Sequence, residues 1–390
     1  MRENEQNTIY QNILRILNLL TLFLFLSPSW IQGTPFPVET ASDDFIFSEP
    51  LVVRWQFDSN NIIALSPTSH NGYIYLPLTA GEIVSLKATD GQLLWKTEIG
   101  GDFSAAPIAD ERGVYLASRT TADSANSPQV LRSTGAIRAL SQSTGITLWM
   151  RTLHFPIQGG LVSSSTKIFG GSADGRIYAF NKATGEILWV VQHTSAFSSH
   201  PVIHNKRLYI GSEDGTLLAL DEASGAILWR YRTRGALRSP ISVSDSVIFF
   251  GSADGYVYAF SEISGRLLWR RRTGAAVQAV VLTDSGIIAT SLDNFVYLLS
   301  PRRGELLWKR QLAGRIAALP LTDARSALFA PLGGDAAIVL SLRDGKQVNT
   351  LPVGEDGNIS ATSLLVDNLL LIPTRHGLLA FASSSPAANP

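Results

Sequence analysis

Four aspartates recur along the chain at even spacing: Asp174, Asp214, Asp254 and Asp293, each followed directly by glycine or asparagine. A row of carboxylates at fixed intervals could supply hard oxygen ligands to calcium. Their neighbours favour a structural use, because an aspartate before glycine caps a tight turn by accepting hydrogen bonds from local backbone amides. Six histidines (His70, His154, His193, His200, His204 and His376) carry no recognisable catalytic motif. Cysteine is absent, which removes disulfides, thiolate metal sites, cysteine nucleophiles and any cysteine on which a bacterial lipid anchor could be built. The one concentration of charge is basic. "WRYRTRGALR" carries Arg230, Arg232, Arg234 and Arg238; "WRRRTG" carries Arg270, Arg271 and Arg272; "WKRQLAGR" carries Lys309, Arg310 and Arg315. Alternation along a strand would send Arg230, Arg232 and Arg234 to one face. Such a cluster either guards exposed strand edges against sheet-to-sheet pairing or meets an acidic protein surface or anionic lipid headgroups.

The elements that carry these residues are set by tryptophan. Trp55, Trp95, Trp149, Trp189, Trp229, Trp269 and Trp308 are separated by 40, 54, 40, 40, 40 and 39 residues, and only Trp30 lies outside the series. The next position in the series is Val348, in a degenerate copy. A fixed period near this length marks a repeat architecture. In the unit ending at Trp229, "SSHPVIH" and "RLYIGS" are short apolar runs and "EDG" is a hairpin turn. "TLLALD" is a third strand, "EASG" a glycine-closed turn and "AILWRYR" a fourth strand. Four short strands with tight turns, and no helical periodicity between them, make one blade of a β-propeller.

"LVVRWQF" (51–57) has no three strands before it, while "ISATSLLV", "NLLLIPT" and "GLLAFA" have no fourth behind them. The N-terminal strand is therefore expected to complete the C-terminal blade. The expected fold is all-β, an eight-bladed propeller of four-stranded antiparallel blades over residues 51–383. A seven-bladed ring is the alternative if the degenerate unit near 310–350 does not form. The glycines at 185, 225, 265 and 304 are turn positions. The tryptophans read as packing between blades, each with an indole N–H that seeks a partner, and not as a ligand cage.

Lysine plus arginine and aspartate plus glutamate both number 32, so no global field points to nucleic acid or a membrane. Charged residues make up 16% of the chain and hydrophobic ones 45%, which speaks for folding and against long disorder. Arg2 and Arg15 precede "ILNLLTLFLFL" (16–26), an uncharged run too short to span a bilayer but suited to a secretory h-region. "SPS" (27–29) offers small residues for cleavage; Glu3 and Glu5 are unusual there and leave an uncleaved anchor as the alternative. Residues 1–29 are thus read as a signal peptide or anchor, 30–50 as a Pro-rich linker and 384–390 as a flexible tail. The insertion "RTTADSANSPQVLRST" (119–134) reads as a surface loop between the second and third strands of the Trp149 unit.

The pattern ADGxxYAFxxxTGxxLW resembles the repeat of the pyrroloquinoline-quinone (PQQ)-like β-propellers and covers essentially residues 51–383. That family includes quinoprotein dehydrogenases, sensor domains and BamB, the propeller of the outer-membrane β-barrel assembly machinery. The resemblance is greatest to the BamB type in length, blade count, end closure and export signal. It implies a non-enzymatic exported scaffold at the periplasmic face of a membrane, a monomer within a complex. Such a scaffold has a protein partner and peripheral membrane association, with no nucleic acid and no cofactor. The loops through which BamB proteins meet their barrel-forming partner, Leu-x-Leu-Arg and Asp-x-Asp, fall here on "HTSAFSSHP" (193–201) and "RTRGALRSP" (232–240). Neither matches, so no contact residue carries over, and Arg230, Arg232, Arg234, Arg238, Arg270, Arg271 and Arg272 stand as the candidate partner-binding residues. A PQQ-dependent dehydrogenase is the alternative. Family members of that kind are usually longer, and many hold a vicinal disulfide against the quinone. Convergent, non-repeating ligands would also be needed to hold a calcium-bound quinone. A ligand-sensing propeller is a third reading.

Overall fold

The computed structural model describes residues 45–121, 133–244, 246–316, 318–354, 361–375 and 377–384. The proposed signal, most of the linker, the body of the insertion, His376 and residues 385–390 lie outside them. Among the described residues there are strands and one three-residue 3-10 turn, Thr79–Gly81. They form six four-stranded sheets and one eight-stranded sheet. The latter is two four-stranded halves joined by a single parallel bridge, Gly160 to Ala106.

The Trp229 sheet shows why the sequence folds this way. Its strands Val202–His204, Arg207–Gly211, Thr216–Asp221 and Ile227–Arg232 pair antiparallel in chain order. The two middle strands read as continuous apolar runs, and Leu208, Tyr209, Ile210, Leu217, Leu218, Ala219 and Leu220 are all buried. Alternation is lost because neighbouring sheets cover both faces. Among the described residues the outer strand has no neighbour beyond it, and it keeps exposed residues along its length. Gly215 turns the Asp-Gly hairpin at φ +85°, a conformation that costs other residues free energy.

Every outer strand carries a bulge directly before its tryptophan. Ile227 pairs with Leu220 and Trp229 with Ala219, which leaves Leu228 as the extra residue. Leu94, Leu148, Leu188, Leu268 and Leu307 occupy the same place. A bulge re-aims the following side chain, and here it turns the indole toward the next sheet while the leucine faces water. In the degenerate unit the sequence period points to Val348, but the register corrects this. Gln347 pairs with Leu340 and Asn349 with Val339, so Val348 is the bulge and Asn349 stands in the tryptophan position. That unit does form, as strands Leu321–Thr322, Ser326–Phe329, Ala336–Ser341 and Gln347–Pro352.

The first strand, Leu51–Asp58, pairs antiparallel with the last, Gly377–Ser383, in one sheet with Leu364–Val366 and Leu369–Pro373. Among the described residues the buried apolar side chains form eight clusters, each shared by two four-stranded units (a whole sheet or one half of the eight-stranded sheet) that are consecutive in the chain or joined through the terminal pairing. One of them sets Ile74, Leu76 and Val84 against Val366, Leu371 and Leu378.

The end of the segment read as linker is structural. Phe45 and Phe47 are buried against Leu328, Val339 and Phe381. Asp323 Oδ2 accepts from the Phe47 amide at 2.7 Å, and Asn349 Nδ2 donates to the carbonyls of Phe47 (2.8 Å) and Glu49 (2.7 Å). Polar and proline neighbours hide these two phenylalanines in the sequence. Phe47→Ala should cost about 3–5 kcal/mol by leaving a cavity between two sheets, read as a lower urea midpoint. Asn349→Ala should cost about 1–3 kcal/mol by orphaning two carbonyls.

Candidate functional site

The seven tryptophans do one job. Each indole Nε1 donates to a backbone carbonyl at the end of the next sheet's third strand or in the turn that follows it. Trp149 reaches Lys182 O at 3.0 Å, Trp229 reaches Glu262 O at 3.0 Å and Trp308 reaches Leu342 O at 2.9 Å. The terminal sheet uses the same latch, Trp55 to Ala88 O at 2.9 Å. The ring lies on the glycine of that turn. A Cβ added at Gly265 would sit 2.5 Å from Trp229 Cδ2, and at Gly185 2.3 Å from Trp149 Cε3. These glycines therefore meet two demands at once, a positive φ and an approach too close for any side chain. Two residues after the tryptophan a second donor reaches the same turn: Thr97 to Gly145 O, Arg151 to Gly185 O and Arg310 to Gly345 O.

Three of the four recurring aspartates also bind sheets together. Asp254 accepts from Tyr256 N (3.1 Å) and Tyr258 OH (2.7 Å) within its hairpin, and from Arg234 N (3.1 Å) in the loop leaving the previous sheet. Asp293 does the same with Phe295 N, Tyr297 OH and Gly274 N. Burial, then the Asp293 hydrogen bond, pushes the Tyr297 hydroxyl up to about 12. Asp214 accepts from Ser212 Oγ, Thr216 N and His193 Nε2. Partial burial raises its pKa, but these bonds outweigh burial and hold the carboxyl well below the usual range. Asp174 bonds Arg176 N and pairs with its guanidinium at 2.8 Å. Among the described residues no group of three or more histidines and carboxylates converges as a metal site.

Between the Trp229 and Trp269 sheets lies a polar hub. The Glu262 carboxylate, 1% exposed, meets His204 Nδ1 at 2.7 Å and accepts from Asn205 Nδ2 and Tyr209 OH at 3.2 Å each. The position recurs with other chemistry: Lys182 with Asp110 at 2.5 Å, and Glu222 with Lys167 at 3.7 Å. Its only sequence signal is place, the first residue after the third strand.

The arginines separate into groups. Arg238 is not part of an open basic edge, because Glu213 takes its guanidinium in a bidentate pair at 2.6 to 3.1 Å. Arg234 lies beyond the strand, which ends at Arg232, so alternation does not place it with Arg230 and Arg232. Arg232 sits 3.6 Å from Asp214. Arg270 lies over the Tyr256 ring at 4.9 Å and Lys309 over Phe295 at 5.1 Å. Arg230, Arg271 and Arg272 are exposed and make no ion pair among the described residues.

A family model described as outer membrane protein assembly factor BamB matches residues 52–132, 133–244 and 224–385. The chain belongs to that family, the BamB-like PQQ-repeat propellers. Solved structures share the fold. BamB from Moraxella catarrhalis is 15% identical with a TM-score of 0.72, over 85% of this chain and all of that one. Quinohemoprotein alcohol dehydrogenase from Comamonas testosteroni is 11% identical with a TM-score of 0.69, over 88% of this chain and 78% of that one. The computationally designed protein Ika8 is 16% identical with a TM-score of 0.71, over 85% of this chain and 99% of that one. No curated protein matches at the level of sequence. Membership in this family does not choose between scaffold and enzyme, because neighbours of both kinds share the fold.

Gly265→Ala should destabilise by about 2–4 kcal/mol from strain and overpacking. Added to Trp229→Ala, it should cost much less than alone, a coupling that a double-mutant cycle in urea detects. The Asp214 pKa is lower folded than unfolded, so its contribution is complete above the ordinary carboxylate range and is lost progressively as pH falls from there through the depressed folded value. Asp214→Asn should therefore flatten the fall in stability that begins below about pH 5.

Proposed function

We propose that this chain is a non-enzymatic exported scaffold, a propeller of eight blades closed into a ring, that works by protein–protein contact in outer-membrane β-barrel assembly. The observation that carries the reading is the use already made of its recurrent chemistry. The indoles latch sheets to turns, and the hairpin carboxylates are engaged by tyrosines and backbone amides. The pairing of the first strand with the last, together with eight apolar clusters that link successive sheets, supports the closed eightfold ring. Closure removes end sheets and leaves only protected edges.

Donor chemistry also supports the reading without a quinone. A calcium-held PQQ needs convergent oxygen ligands, and the carboxylates here point into separate hairpins with local partners. The chain has no cysteine for a vicinal disulfide. Export is supported by the apolar run 16–26. Among the described residues no helix is long and apolar enough to cross a membrane. The arginine edge on the outer strands Ile227–Arg232, Leu267–Arg272 and Leu306–Gln311 is the surface offered to an acidic partner surface.

Affinity purification of the tagged chain from membranes, with an absorption spectrum of the product, tests the proposal. Barrel-assembly components should co-purify, and the spectrum should show protein absorption alone. A stoichiometric bound quinone would instead make the chain a dehydrogenase.

A further inference from the structure

The three outer strands that carry the arginine edge read ILWRYR, LLWRRR and LLWKRQ, with seven cations and no acid. The other five outer strands together hold three cations, Arg54, Lys96 and Arg151, and two acids, Asp58 and Glu98. All seven cations are exposed. Two of them, Arg270 and Lys309, lie over aromatic rings of their own sheet. Arg230, Arg271 and Arg272 have no carboxylate partner among the described residues. On the same strands, the bulges hold Leu228, Leu268 and Leu307 in water at 47%, 44% and 51% exposure. Each strand therefore offers an aliphatic end and a cationic end, and the pattern repeats on three consecutive sheets.

We infer that this edge docks on the anionic headgroups of a phospholipid bilayer, with the leucines against the acyl boundary. The inference rests on the scaffold reading above and names the acidic surface that reading left open. What favours lipid over an acidic protein is the pairing of charge with apolar surface. Either acidic partner would complement the cations, but these three outer strands also hold exposed leucines at the end opposite the cations. Diffuse negative charge over an apolar layer suits that pattern.

Full-length chain is mixed with vesicles of phosphatidylcholine alone or containing phosphatidylglycerol, and the bound fraction is measured by sedimentation. The apolar run 16–26 would bind both kinds alike, so the ratio of the two is the readout. Wild-type chain should prefer the anionic vesicles by at least about tenfold at low salt, and the preference should vanish at high salt. Arg271→Glu with Arg272→Glu should bring the ratio to within about twofold. Arg230→Gln with Arg272→Gln should lower it part-way, and circular dichroism checks that both variants fold. Arg238→Glu, whose native guanidinium is already neutralised by Glu213, should change the ratio less than either pair. Equal binding to both vesicles, or a preference untouched by the Arg271 and Arg272 changes, overturns the inference. So does capture by immobilised polyglutamate without any vesicle preference, which would assign the edge to an acidic protein. Loss of vesicle preference with assembly components still co-purifying would remove the lipid contact and leave the scaffold standing.

Discussion

An indole pressed between two sheets must place its N–H on an acceptor, and one backbone carbonyl per neighbouring sheet provides it. The rest of this protein follows from that contact. The bulge exists to aim the ring, with Leu228 the displaced residue that lets Trp229 reach Glu262 O. The turn glycine exists because Gly265 Cα lies where no side chain could share space with the ring. One hydrogen bond contributes only about 1 kcal/mol net. The latch gains its weight from the apolar area the ring covers and from recurring on seven outer strands.

The latch also explains its own exception. Asn349 stands in the tryptophan position of the one sheet whose neighbour is assembled from both ends of the chain. That neighbour has no turn between its third and fourth strands, since Gly377–Ser383 and Leu51–Asp58 are not joined. An indole would find no turn carbonyl or glycine there. A primary amide instead donates twice, to the carbonyls of Phe47 and Glu49, where the chain enters. Phe45 and Phe47 add two further rings to the core these sheets share.

With the indoles facing inward between sheets and the aspartates tied at the hairpins, the chemistry left over is peripheral. From the Trp229 sheet to the Trp269 sheet, and from there to the Trp308 sheet, the two ends are fixed by different bonds: indole to carbonyl at one turn, carboxylate to loop amide at the other. Between them sit pairs such as Glu262 with His204 and Lys182 with Asp110, whose composition varies while their position does not. Breaking one such buried pair leaves an uncompensated charge, at a cost of about 3–5 kcal/mol. Variation is free on the outer strands, and there three sheets have accumulated cations.

The repeat was legible in the sequence because period, hairpin glycines and apolar runs are local properties, and each unit repeats them. Strand number, strand type and the cohesive role of the tryptophans needed nothing more. What the folded molecule decided was every relation between units. Sequence placed Arg238 in the basic cluster, and only packing brought Glu213 to its guanidinium. Spacing pointed to Val348, and only cross-strand register showed Asn349. Composition made residues 45–49 a linker, and only the groove between two sheets turned Phe45 and Phe47 into core. The division has one cause: a chain encodes its turns and strands through neighbours within a few residues, while partners 25 or 300 positions away become neighbours only when the sheets meet.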